Sequence, residues 1–132
     1  MTSCKRAITA LLVGKQDRCL PNLQECLDTL GMKTSSVERP SDVALRLGID
    51  EAPELIFAVA EPGESTWSEV VELAREMGGQ PVIVASRVAD VRFYLDTLEG
   101  GAFDFVAAPF RPCDLRDVVD SAMSQSHLCA RA

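Results

Sequence analysis

Apolar residues recur along the chain in two rhythms that take turns. Ala7 to Val13 is an almost unbroken apolar run, the pattern of a buried strand. Leu20, Leu23, Leu27 and Leu30 then recur at helical spacing, and Gly31 closes the stripe. Pro21 has no amide hydrogen to donate, so it belongs in the first turn, which starts the helix near Arg18 to Leu20 rather than at Gln16. Lys33 to Val37 is a short, mostly polar strand suited to a sheet edge. Ser41 or Asp42 caps a short helix carrying Val43, Ala44, Leu45 and Leu47, ended by Gly48. Leu55 to Ala60 reads as a central strand, and the turn Glu61-Pro62-Gly63 follows it. Thr66 and Glu69 have capping-box spacing ahead of Trp67, Val70, Val71, Ala74 and Met77, a helix stopped by Gly78-Gly79. Pro81 opens the strand Val82 to Ala85, and Val88, Val91, Leu95 and Leu98 mark the inward stripe of a fourth helix that ends at Gly100-Gly101. Phe103 to Ala107 is a fifth strand, and Pro112 starts a last helix with Leu115, Val118, Val119, Ala122 and Met123 inward. The period stops there: residues 1–124 read as one domain and residues 125–132 as a frayed tail or the start of a linker.

Five strands alternating with five helices predict an α/β fold, a parallel sheet covered on both faces through right-handed crossovers. In such sheets ligands and chemistry gather beyond the carboxyl ends of the strands. That singles out Gly14 and Lys15, Val59 to Glu61, Ser86, and Ala107 to Pro109.

Composition narrows what those positions can do. A chain of 132 residues is one domain, and a net charge of −7 repels polyanions, so direct nucleic-acid binding is not expected. No apolar run approaches the roughly 20 residues of a membrane span, and no leader pattern opens the chain; a cytoplasmic domain is expected. Five cysteines without a CxxC pair fit free thiols better than disulfides or zinc, and Cys19 and Cys26 flank the first helical stripe. His127 is the only histidine, which leaves a Ser-His or Cys-His nucleophile without a base. His127 with Cys129 makes too small a ligand set for a metal, and neither a Walker loop nor GxGxxG is present. The expectation is a domain that is not an enzyme and takes no cofactor or metal.

Several segments, in order, resemble response-regulator receiver domains, the phospho-acceptor modules of two-component signalling. Leu98-Glu99-Gly100-Gly101-Ala102-Phe103-Asp104-Phe105 is similar to the family's L-E-A-G-A-x-D-Y, and Pro109-Phe110-Arg111-Pro112 to its K-P-F-x-P. Pro53-Glu54-Leu55-Ile56 is similar to its P-D-L-V, and Ser86 matches the hydroxyl residue ending the fourth strand. The resemblance covers about Ala7 to Met123 and implies a three-layer (βα)5 sandwich, flavodoxin-like and CheY-like, with strand order 2-1-3-4-5. It also implies a cis Ala108-Pro109 bond, and switch positions at Ser86 and Phe105.

The family's chemistry does not carry over. Its acidic, magnesium-binding pair falls on Gly14 and Lys15, its acceptor aspartate on Val59 (or on Ala58, if the loop is anchored on Pro62), and its lysine on Ala108. Asp17, Glu61 and Lys15 are the residues able to compensate, the last as an ammonium in the cation's place. Phe105 lacks the hydroxyl of the family's usual tyrosine, so a buried, inward ring is expected. The resulting reading is an atypical, degenerate receiver that acts as a phosphorylation-independent docking module, with the N-terminus of a larger transcriptional regulator as one setting for it. The alternatives are a residual phospho-switch on Asp17, Glu61 or Ser86, and a small-molecule-binding flavodoxin-like domain. The expected docking face joins helix four, strand five and helix five: Arg92, Asp96, Glu99, Asp104, Arg111, Arg116 and Asp120, with both signs of charge suited to a homodimer.

Overall fold

The structure, a computed structural model, describes residues 8–15, 20–47 and 52–131, with side chains described at 8–15, 21–46 and 52–124. Asp17, Cys19 and Gly48 lie outside the described residues, as do the side chains of His127 and Cys129. The elements alternate throughout: β1 (Thr9–Val13), α1 (Leu20–Thr29), β2 (Lys33–Val37), α2 (Pro40–Leu47), β3 (Leu55–Val59), α3 (Thr66–Met77), β4 (Val82–Ser86), α4 (Val91–Glu99), β5 (Asp104–Ala107) and α5 (Pro112–Arg131). The five strands form one parallel sheet in the order β2-β1-β3-β4-β5. The polar β2 takes one edge, as its composition predicts.

Alternation along each strand divides the core in two. Ala10 and Leu12 of β1, Leu55, Phe57 and Val59 of β3, and Ile83 and Ala85 of β4 face one way. There they pack on Leu23, Cys26 and Leu27 of α1 and Leu115, Val119 and Ala122 of α5. Leu11, Val13, Ile56, Ala58, Val82 and Val84 face the other way, onto Val43 of α2, Trp67, Val70, Val71 and Ala74 of α3, and Phe93 of α4. β3 is buried along its whole length, which is why its sequence is apolar on both faces.

Three helix ends and one helix face differ from the sequence expectation. Pro40 itself opens α2, its ring preset for the first helical turn, so neither Ser41 nor Asp42 is the cap. Thr66 is already helical and Ser65 stands at the N-cap without a side-chain hydrogen bond, so the Thr66–Glu69 capping box does not form. α5 continues past Met123 to Arg131, a stretch with neither glycine nor proline to stop it and with Gln125, Leu128, Ala130 and Arg131 among the better helix formers. α4 turns the other way: Val88, Val91 and Leu95 are exposed, while Phe93 and Thr97 are buried. Phe93 wins the inward position because its ring meets Trp67 edge-on at 6.4 Å and Phe105 at 5.6 Å, a larger and better-shaped contact than Val91 offers. Met77, at helical spacing in the α3 stripe, is exposed as well, as is Leu45 of α2.

Candidate functional site

The strand order reverses between β1 and β3, and the crevice beyond their carboxyl ends is where Gly14, Lys15 and Val59 come together. Gly14 leaves β1 with its amide donating to the Val37 carbonyl at 3.0 Å. A β-carbon built on Gly14 would stand 2.7 Å from Val59 Cβ and 3.4 Å from each Val59 methyl. The space beside β3 is therefore already filled by an apolar side chain, and Val59 is buried in the α1/α5 half of the core. The cleft that remains measures about 80 Å³, between Lys15, Glu38, Pro40, Glu64, Thr66 and Trp67. A drug-sized ligand takes a pocket of about 300–1,000 Å³.

Magnesium takes hard oxygen ligands in a near-octahedral shell. Gly14 and Val59 have no side-chain oxygen, and Lys15 is exposed and brings a positive charge of its own. Among the described residues no three His, Cys, Asp or Glu side chains converge on a point. Among the described residues, Gly14, Lys15 and Val59 offer a magnesium ion no side-chain oxygen, and the carboxylates lining the cleft are Glu38 and Glu64.

Glu61, the carboxylate nearest to the end of β3, is taken up by a residue that sequence reasoning passed over. Arg87 Nε donates to Glu61 Oε2 at 2.7 Å. The sheet register brings the two together. Val59 lies opposite Ala85 in the β3–β4 pair, so the residues two further along each chain, Glu61 and Arg87, emerge side by side. The turn between them and α3 is built by Pro62 and by Gly63 at φ +94°, with Glu64 N donating to the Glu61 carbonyl at 3.0 Å. That is a type II turn, whose third residue must be left-handed.

Ser86 is fully buried, and its Oγ accepts the Val88 amide at 3.1 Å. It holds the bend that follows β4, whereas α4 is capped by Asp90, whose carboxylate accepts the Phe93 amide at 2.9 Å. Ala108 sits beside Ser86, its amide donating to the Ser86 carbonyl at 2.8 Å, and the Ala108-Pro109 bond is cis. The following residue is gripped by α1: Phe110 N donates to Asn22 Oδ1 at 3.3 Å, and the Cys26 thiol donates to the Phe110 carbonyl, also at 3.3 Å. Phe105 is half-buried rather than buried, because its ring stops between Phe93 and Tyr94, edge-on to both at 5.6 and 5.8 Å.

On the anticipated face, Arg92, Asp96 and Glu99 of α4 and Arg116 and Asp120 of α5 are exposed. Asp104 is half-buried and folds its carboxylate back onto the Phe105 amide at 2.7 Å. Arg111 is spoken for within the chain, its Nε 3.1 Å from Asp114 Oδ2. Val88, Val91 and Leu95 add an exposed apolar strip to α4 that the sequence had placed inside. No described helix is long and apolar enough to cross a membrane.

No protein-family model matches the chain, and no curated protein matches it. Solved structures do. The chain is similar to NtrX from Brucella abortus at 21% identity, with a TM-score of 0.78 over 96% of this chain. It spans 29% of the length of that protein. It is similar to a response regulator receiver domain from Clostridium thermocellum at 14% identity and a TM-score of 0.75, covering 92% of this chain and 98% of that one. A third likeness, at 16% identity and a TM-score of 0.73 over 90% of this chain and 99% of the other, is to the receiver domain of a sensor histidine kinase from Pseudomonas aeruginosa, which holds a magnesium ion in its active-site cleft. The fold is the flavodoxin-like, CheY-like fold of response-regulator receiver domains.

Proposed function

We propose that this chain is a receiver-type domain of two-component signalling that regulates by docking to protein, without phosphoryl transfer and without catalysing a reaction. The observation that supports it is the Gly14–Val59 contact. Phosphoryl transfer runs on a positioned acceptor and a cation that neutralises the phosphoryl oxygens. Here an apolar side chain fills the acceptor's position, the glycine facing it has no room for a side chain, and Glu61 is bound to a guanidinium. The test is amide NMR with Mg²⁺ and beryllofluoride, alongside intact-mass measurement after acetyl phosphate. No shift at Ser86 and no added phosphoryl mass are expected; either signal overturns the reading.

The docking surface in this proposal is the face of α4, β5 and α5, with a second copy of the chain as partner and regulation of a larger transcriptional regulator as the output. Charges of both signs flank the exposed Val91 and Leu95, so two copies related by a two-fold axis can match Arg92 and Arg116 to Asp96, Glu99 and Asp104. Arg111 is held by Asp114 and contributes less. Sedimentation of wild type, Asp104→Arg, Arg116→Asp and the double exchange tests the face. Loss of dimer in each single change and recovery in the double one are expected, and an unaltered mass distribution throughout places docking elsewhere.

A further inference from the structure

The ion pair above Val59 joins two loops that are each stiffened from within. On one side, Glu61 N donates to Glu64 Oε1 at 3.0 Å and the Glu61 carbonyl accepts from Glu64 N, closing the turn around Pro62-Gly63. On the other, buried Ser86 holds the Val88 amide, and Asp90 caps α4 two residues later. Arg87 stands between Ser86 and Val88, so whatever fixes its guanidinium fixes the bend from which α4 departs. We infer that Glu61–Arg87 is a clasp, internal to the chain and free of metal, that pins the bend after β4 to the loop after β3. It thereby sets the position in which α4 presents Val88, Val91 and Leu95. The consequence for signalling rests on the docking reading above, whereas the clasp does not.

The clasp is a modest and tunable device. Its side chains are 58% exposed at Arg87 and 26% at Glu61. A pair so placed favours the pinned bend over an opened one by about two- to fivefold. Salt weakens it, because the screening length falls to about 3 Å at 1 M.

Amide NMR and hydrogen exchange on the full chain test it, with Glu61→Gln, Arg87→Gln and the exchange of Glu61→Arg with Arg87→Glu. Each single change should raise exchange about two- to fivefold at Val88 and Phe93, whose amides Ser86 and Asp90 hold, and move the Ser86, Val88 and Phe93 amides in one direction, leaving β2 unmoved. The exchanged pair should return those amides toward wild type, and 1 M salt should move wild type but not the single variants. Glu61→Gln keeps the side chain's shape and carries the test alone if Arg87→Gln fails to fold. Shifts confined to the substituted residue and its chain neighbours, or an exchanged pair no closer to wild type than the single changes, overturn the clasp. Beryllofluoride added to wild type separates the two readings: a response at Ser86 overturns phosphorylation-independence and leaves the clasp result standing.

Discussion

Gly14→Ala is a one-carbon change with a predictable cost. The new β-carbon meets Val59 Cβ at 2.7 Å, where carbon atoms rest at about 3.5–4.0 Å. No rotamer relieves this, because the obstructing atom is itself a β-carbon. Relief requires β1 and β3 to part where Val13 lies opposite Ala58, and β3 is buried along its whole length. Overpacking of this kind costs about 1–3 kcal/mol. Val59→Gly removes the obstacle at a price of its own, and in that background Gly14→Ala should cost under about 0.5 kcal/mol, a coupling of about 1–3 kcal/mol between the two sites. Val59→Ala keeps the β-carbon and should leave most of the penalty in place. Urea unfolding followed by the fluorescence of Trp67, the single tryptophan and a wall of the same cleft, reads all six proteins, the three backgrounds with and without Gly14→Ala. With a slope of about 1–3 kcal/mol/M, the Gly14→Ala midpoint should fall by about 1 M. An equal fall in the wild-type and Val59→Gly backgrounds refutes the reasoning that Val59 fills the acceptor's position.

The face that α4 buries can be checked by a contrast: Phe93→Ala should cost about 3–5 kcal/mol, and Leu95→Ser less than about 0.5 kcal/mol; comparable losses in urea unfolding would mean the helix is turned the other way. Asp90→Ala removes the acceptor of the Phe93 amide and should cost about 0.5–2 kcal/mol, with faster amide exchange in the first turn of α4. Burial pushes the Cys26 thiol up, with the Glu25 charge adding to it, so its thiolate is scarce at pH 8, whereas Cys113 is exposed. Iodoacetamide should modify Cys113 first and reach Cys26 only as the protein unfolds, which peptide mass mapping after timed quenching will show.

The alternation of strand and helix, the edge position of β2, the Pro62-Gly63 turn and the inward stripe of α5 are legible from residue order alone. Each depends on short-range constraints: the two periods of side-chain direction, the fixed ring of proline, the left-handed tolerance of glycine. That Gly14 and Val59 bring no side-chain oxygen to the cleft is also legible, since it holds in any fold. What packed against what was decided only in three dimensions. α4 carries two candidate inward faces, Val91-Leu95 and Phe93-Thr97, and periodicity cannot rank them; the aromatic neighbours Trp67 and Phe105, distant in sequence, bury Phe93 and leave the other face outside. Ser86 caps a bend because Asp90 had already taken the helix. Glu61 and Arg87 meet because β3 and β4 are neighbours in the sheet, and the reach of an ion pair is set by distance through space, to which separation along the chain is no guide.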